Sequence, residues 1–334
     1  MPERAARPRR SPRSPRAPRP PSPRRAARAS IGEALAEAAL RLGHSGVADP
    51  RREATTIWSA VAGAGVQRGE VWLERQHEPA SAVLESFQAA VQRRASGMPL
   101  AYAVGRAGFR TLELKLDPRA LIPRPETEGL VDLVLEYGAR ASGIGTRNGT
   151  PEARGPRREP RGVVADVGTG CGCIALSLAL EGEEDFARVI AVERSLGAAA
   201  LARENVELVR PRVPVEVREG DLLAPLAGER VRAIVANPPY LTEREWRELD
   251  PAVRQFEPRD ALVSGRDGLD ATRALLAGAA ALLEPGGVLA VEIDERRAEL
   301  VRAVAREHRW PRVAIHEDLF GRPRFLLAFA REEV

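Results

Sequence analysis

Cysteine is scarce: Cys171 and Cys173 are the only two in 334 residues. One residue apart and without a second pair, they exclude a disulfide framework and a cysteine zinc site, and a reducing, cytoplasmic setting fits them best. Long apolar runs are missing too. None approaches the roughly 18 residues that a membrane span requires, and no apolar stretch near the start has the form of a secretion signal. Histidine occurs at positions 44, 77, 308 and 316, all outside the motifs described below. A metal centre and a histidine base are therefore not expected.

Hydrophobic residues at 44% and charged residues at 29% place the chain among globular proteins rather than disordered or fibrous ones. Its length exceeds what a single core organises, so a main domain of about 180 residues with a smaller partner is expected. The pI of 9.6 would suggest nucleic acid if the charge were evenly spread. Residues 1–29 hold ten Arg and one Glu, a local +9 within a total of +4, so the rest of the chain carries −5. The segment RPRRSPRSPRAPRPPSPRR is Arg, Pro and Ser with almost no apolar content, and its prolines forbid helix, so a disordered, extended tail is expected. The same prolines exclude the amphipathic helix of a transit peptide. The simplest reading is a solvated tail, and the second is a weak electrostatic grip on ribosomal RNA or another polyanion.

Ordered structure is expected from Ser30, where Ser-Ile-Gly-Glu has capping-box spacing ahead of an Ala/Leu-rich run. Leu35, Ala38, Ala39 and Leu42, then Val83, Leu84, Phe87 and Val91, recur at helical spacing, which predicts a domain of short helices over 30–97. Tyr102, Val104, Phe109, Leu112, Leu114 and Leu116 sit mostly at even spacing and predict a linking β-hairpin over 98–120. The main domain then spans 121–334, broken at 141–161 by a Gly-, Pro- and Arg-rich loop. From Gly162 onward seven short β-type runs alternate with helical stretches: 163–165, 189–192, 213–217, 231–236, 288–293, 313–315 and 325–329. That rhythm predicts an α/β fold with a doubly wound, mainly parallel seven-stranded sheet. The last two runs lie too close for a crossover helix and should pair antiparallel.

The first run ends in Asp166-Val167-Gly168-Thr169-Gly170-Cys171-Gly172. Glycines at 168, 170 and 172 allow a tight turn and close approach of a ligand. The spacing is G-x-G-x-G after an acid, not the G-x-G-x-x-G of a dinucleotide site, which favours a cofactor with a cationic amino group over one with a pyrophosphate. Cys171 and Cys173 read as small residues filling this turn. Glu193 closes the second run, where a carboxylate can accept both hydroxyls of a ribose. Asp221 and Leu222 close the third, one able to accept from an adenine amino group and the other to lie against the ring.

The fourth run ends in Asn237-Pro238-Pro239-Tyr240. A planar amide or amino nitrogen has a delocalised lone pair and is a poor nucleophile. If the Asn237 side-chain oxygen and the Pro238 carbonyl each accept one N–H, the lone pair is aimed at the methyl donor. Two prolines stiffen the backbone and remove competing N–H groups, and Tyr240 offers a face for stacking. A sulfonium donor such as S-adenosylmethionine leaves neutral, so alignment and acceptance of developing charge supply the rate without a strong base. The 241–268 stretch, including Trp246, is a candidate lid.

Leu121-Ile122-Pro123-Arg124-Pro125-Glu126-Thr127-Glu128, with Gly97 to Tyr102 and Gly105 to Phe109 before it and Phe256-Glu257-Pro258, Ala261-Leu262 and Asp267-Gly268-Leu269 after it, resembles the release-factor glutamine methyltransferase family. The resemblance covers about residues 30–330 and is strongest at IPRPETE, DVGTGCG and NPPY. It implies a Rossmann-like class I methyltransferase sheet behind a small helical domain that engages a protein. It also implies methyl transfer from S-adenosylmethionine, leaving S-adenosylhomocysteine, to N5 of the glutamine in the Gly-Gly-Gln motif of class I peptide-release factors, by a monomer. Carried over by position, Gly168, Thr169, Gly170, Cys171, Gly172, Glu193, Asp221, Leu222 and Asn237 would contact the cofactor. Asn237, Pro238, Pro239 and Tyr240, with Arg124 and Glu126, would hold the glutamine; for the last two a plain surface ion pair is the competing reading. Glu193 stands where Asp is usual, and Asp294 and Arg296 stand where the family has Gly and Gln. Ranked behind this reading are a glutamine methyltransferase of a ribosomal protein, an adenine-N6 methyltransferase, which would want a basic folded body, and a non-enzymatic RNA-binding assembly protein.

Overall fold

A computed structural model describes residues 29–63, 68–141 and 162–332. The tail over 1–28 and residues 142–161 of the loop lie outside the described residues.

The helical part opens as its capping box predicts. Ser30 Oγ accepts the Glu33 N–H and Glu33 Oε2 accepts the Ser30 N–H at 2.7 Å, which satisfies two amide donors at the start of α1 (Ile31–His44). Helices α2 (Pro50–Ala62), α3 (Arg68–Glu74) and α4 (Ser81–Ala95) follow. Their apolar faces close on Leu42, Ile57, Trp58, Phe87 and Val91, with the Trp58 and Phe87 rings edge to face at 4.9 Å.

The predicted hairpin is half right. Leu100–Val104 is a short helix, α5, ended by Gly105 at φ 76°, and only then do β1 (Arg106–Phe109) and β2 (Leu112–Lys115) pair antiparallel. Tyr102 and Val104 share an even spacing with the strand residues, but two residues are too few to set a period, and the residues buried by the helix are Tyr102 and Ala103. What decides is tertiary: Tyr102 Oη donates to the Ala120 carbonyl at 2.6 Å, and the Arg93 guanidinium donates twice to the Ala103 carbonyl. Both clasp a compact turn.

All seven expected β runs are strands. After α6 (Glu128–Ala141) come β3 (Val163–Val167), α7 (Cys173–Glu181), β4 (Arg188–Glu193), α8 (Leu196–Val209), β5 (Val215–Glu219) and β6 (Val231–Ala236). Then follow α9 (Glu243–Glu248), α10 (Pro251–Phe256), α11 (Asp270–Gly278), β7 (Leu283–Glu292), α12 (Ala298–Glu307), β8 (Arg312–Glu317) and β9 (Pro323–Phe329). They form one sheet in the order β5-β4-β3-β6-β7-β9-β8, parallel except for β9, which runs antiparallel to both neighbours. This is the doubly wound fold of a class I methyltransferase. Its central strands are buried on both faces, so they read as continuous Val/Ile/Ala runs rather than alternating ones. One core lies under α7, α8, α6 and the hairpin, the other under α11 and α12. Among the described residues no helix is long and apolar enough to cross a membrane.

Asn205, buried on α8, joins three parts of the main body. Its Oδ1 accepts the Lys115 N–H at 2.8 Å, and its Nδ2 donates to the Lys115 carbonyl at 3.0 Å and the Cys171 carbonyl at 2.9 Å. Replacing it with Leu leaves three backbone groups without their partner, one of them in a fully buried contact, so Asn205→Leu is expected to lower stability by on the order of 3 kcal/mol, read as a drop in the urea midpoint.

Candidate active site

At the C-terminal edge of the parallel strands, growth of the sheet reverses between β3 and β6. Ligands of open α/β sheets collect at that crevice, and here it widens into a cleft of about 820 Å³. That is room for a nucleoside-sized cofactor and a side chain together. Gly168, Thr169, Gly170, Cys171, Glu193, Asp221, Leu222, Asn237, Pro239 and Arg124 line it. Gly172, Pro238, Tyr240 and Glu126 do not, and neither does any of the four histidines.

The glycine loop is shaped by its own backbone and two carboxylates. Gly168, Gly170 and Gly172 adopt φ of 78°, 57° and 87°, a region that favours glycine. The Gly168 and Thr169 N–H groups donate to the Val192 carbonyl, which pins the loop to the end of β4. Asp166 faces inward, fully buried: its Oδ2 accepts from the Thr169 hydroxyl at 2.5 Å and the Ala175 N–H at 3.1 Å. It braces the loop and the first turn of α7 and does not line the cleft, so its effect on a cofactor is through the loop's shape. Glu193 Oε2 accepts the Gly170 N–H at 2.9 Å and Oε1 accepts the Ser195 N–H at 2.8 Å. Each oxygen keeps a lone pair free for a ribose hydroxyl. Asp221 is exposed and lies 3.9 Å from the Arg194 guanidinium, next to Leu222, whose φ is 44°.

Beside the end of β3 that carries the glycine loop, Asn237 follows β6, whose last residue Ala236 pairs with Val167. Its Nδ2 donates to Thr127 Oγ1 at 3.0 Å, and the Thr127 hydroxyl donates to Glu292 Oε2 at 2.7 Å. Glu292 sits at the end of β7 with 1% exposure, and burial, only partly opposed by the Thr127 hydrogen bond and nearby arginines, pushes its carboxyl up to about 7. Tyr240 is half-buried beside this group, and burial pushes its phenol up to about 12. Its ring therefore stays neutral at physiological pH.

Arg124 and Glu126 do not pair with each other. The Arg124 guanidinium donates to both oxygens of Glu257, at 2.7 and 2.8 Å, and that carboxylate is nearly inaccessible to solvent. The IPRPETE segment is thereby tied to the Phe256-Glu257-Pro258 turn, which continues into the cleft wall at Pro258 to Gly265. The other end of that wall is held as well. Glu245, in the first turn of α9, binds Arg297 at 2.6 Å and Arg296 at 3.0 Å, and both arginines bind Asp294. Asp294, unexpected at this strand end, is thus one corner of a cluster that fixes the candidate lid. Thr127, Glu257, Glu292 and Arg297 were not singled out as site residues from the sequence. A carboxylate inside the apolar run 288–293 was the available signal for Glu292.

Two family models match the chain: PrmC N-terminal domain over residues 33–105 and Methyltransferase small domain over 156–255. The release factor glutamine methyltransferase of Moorella thermoacetica is 39% identical over 306 residues, covering 90% of this chain and 99% of that one. That of Streptomyces coelicolor is 38% identical over 298 residues, covering 88% and 96%. Among solved structures, a methyltransferase from Pyrococcus furiosus aligns with a TM-score of 0.44 and 17% identity, over 74% of this chain and 98% of that one.

Asp166 makes the cost of the glycine loop measurable. Burial raises its carboxyl from 3.8 to about 7, while hydrogen bonds from Thr169 and Ala175 lower it part of the way back. The folded protein therefore keeps a proton that the unfolded chain releases above its ordinary value. Stability from this group falls as the pH rises through the interval between those two values and is level above it. Asp166→Asn is expected to show a shallower fall of the denaturation midpoint between about pH 5 and 7 than the unaltered protein. Equal slopes would assign the effect to other groups.

Proposed function

The chain belongs to the release factor glutamine methyltransferase family, and we propose from that premise that it methylates N5 of the glutamine in the Gly-Gly-Gln motif of class I peptide-release factors. It is a methyltransferase, its cofactor is S-adenosylmethionine, and its substrate is a release factor glutamine. When bound, S-adenosylmethionine supplies an electrophilic methyl group on a positively charged sulfur. The cleft suits this cofactor: glycines 168 and 170 leave backbone where a Cβ would stand, Glu193 offers carboxylate lone pairs toward a ribose, and Leu222 offers an apolar face.

The observation that carries the reading is that the glycine loop and Asn237, at the ends of the adjacent strands β3 and β6, line one cleft. An amide held by Asn237 Oδ1 and the Pro238 carbonyl presents its lone pair across that cleft. Those two acceptors stabilise positive charge as it develops on nitrogen, and pre-set acceptors of this kind need no reorganisation during transfer. Tyr240, neutral and half-buried, supports the planar amide. Arg124, paired with Glu257, shapes the entrance rather than carrying a free charge. Glu126 borders the same segment.

The domain roles follow: 30–97 recognises the protein substrate, 98–120 links, and 121–334 transfers the methyl group. We assign the enzyme to the cytoplasm, because release factors act at the ribosome, and to a monomer. The +9 of residues 1–29 supports weak, salt-sensitive contact with a polyanion.

Labelled cofactor offered in parallel with a release factor, a ribosomal protein and DNA is expected to mark only the release factor, at the Gly-Gly-Gln glutamine. Label on another residue would overturn the reading. In Asn237→Ala, methyl transfer is expected to fall by about 100-fold or more, while calorimetry still detects cofactor binding. Deleting residues 1–29 is expected to leave turnover on purified release factor unchanged and to abolish low-salt retention on RNA.

A further inference from the structure

An asparagine that accepts a substrate N–H must present oxygen, not nitrogen. Its two amide ends have nearly the same shape, so packing alone does not choose between them. A half-turn about the last side-chain bond would set an NH₂ against the glutamine NH₂, donor facing donor. Something must select the orientation of Asn237.

The geometry points to Thr127 as the positioning residue that, backed by Glu292, holds the Asn237 amide with its oxygen turned into the cleft. This rests on the glutamine-binding role given to Asn237 above. A hydroxyl has one proton and two lone pairs. The Thr127 proton is committed to Glu292 Oε2 at 2.7 Å, so toward Asn237 only a lone pair remains. That lone pair accepts from Nδ2 at 3.0 Å. With the amide reversed, Oδ1 would face a lone pair of the buried Thr127 hydroxyl and the hydrogen bond would be lost. Polarity thus runs from Asn237 through the Thr127 hydroxyl to Glu292 Oε2, the oxygen that accepts from it.

Burial argues that Glu292 and Thr127 are there for this contact. Thr127 is 2% and Glu292 1% exposed, and Glu292 shares its face of β7 with the core residues Val288 and Ala290, where an apolar side chain would serve packing at no electrostatic cost. The chain's three members stand on separate segments, 110 and 165 residues apart in sequence, so local turn geometry does not bring them together. Thr127 touches no reacting atom in this scheme. It acts through Asn237.

Steady-state kinetics and amide resonances test this together. Thr127→Val keeps the shape and removes the hydroxyl; kcat on release factor is expected to fall about 10- to 100-fold with KM for S-adenosylmethionine unchanged, and Thr127→Ser should restore the rate. The chain contains only three asparagines, at 148, 205 and 237, so asparagine-selective ¹⁵N labelling yields three side-chain NH₂ pairs. In Thr127→Val the Asn237 pair should shift while the buried Asn205 pair, which reports the fold, stays in place. Wild-type kcat in Thr127→Val, or an unmoved Asn237 pair, would overturn the assignment. If the unaltered protein does not methylate release factor, the proposed substrate fails, and the resonance comparison still decides the Thr127 contact.

Discussion

Between β3 and β6 the sheet changes its direction of growth, and this single topological fact places everything else. Strands β3, β4 and β5 extend one way and β6 and β7 the other. Their right-handed crossovers put helices on opposite faces, so the chain segments leaving β3 and β6 diverge. A gap opens at the strand ends. The strands themselves are buried on both sides, so their side chains cannot reach a ligand. Chemistry is confined to residues at or just past the strand ends: Gly168, Glu193, Asp221 and Asn237.

Confinement to strand ends brings polar groups to the edge of an apolar core, and the protein meets that cost with specific partners. Asp166, Glu257, Glu292 and Asp294 are all buried carboxylates. Each is tied to a loop that shapes the cleft: the glycine loop, the IPRPETE segment, Asn237 and the 241–268 wall, in that order. A buried ion or acid contributes little net stability. What it does is penalise every arrangement in which its partner is elsewhere. Asp166 and Glu292, both held up at about 7 by burial, show how strongly these sites are withdrawn from water.

How much of this was legible in the sequence follows from the range of each interaction. The seven strands, the final antiparallel pair and the Ser30 cap are written in local periodicity and spacing, and all were readable. The glycine loop, Glu193 and Asn237 were readable because each lies at the end of its own strand. Tyr102 was misplaced in a strand because its conformation is set by Ala120, eighteen residues away. Arg124 was read as a substrate contact, with a pair to its neighbour Glu126 as the competing reading, whereas its partner Glu257 lies 133 residues further on. Thr127 sat inside a quoted motif without a role, since the two groups that give it one come from β6 and β7. Sequence shows which residues reach an edge; it does not show which edges meet.

The same distinction explains the departure at Asp294. Taken with its neighbours alone, an acid followed by Glu295, Arg296 and Arg297 is a surface charge run. In three dimensions Arg297 is buried between Asp294 and Glu245 and also donates to the Asp267 carbonyl at 2.8 Å. The 241–268 segment is therefore held at its start through Glu245, at Glu257 through Arg124, and at its end through Asp267. A loop that closes over a ligand needs low local stability between its hinges. Here each of the three attachments would have to break or move with the segment, so closure over a ligand would be opposed by the Glu245–Arg297 and Arg124–Glu257 pairs.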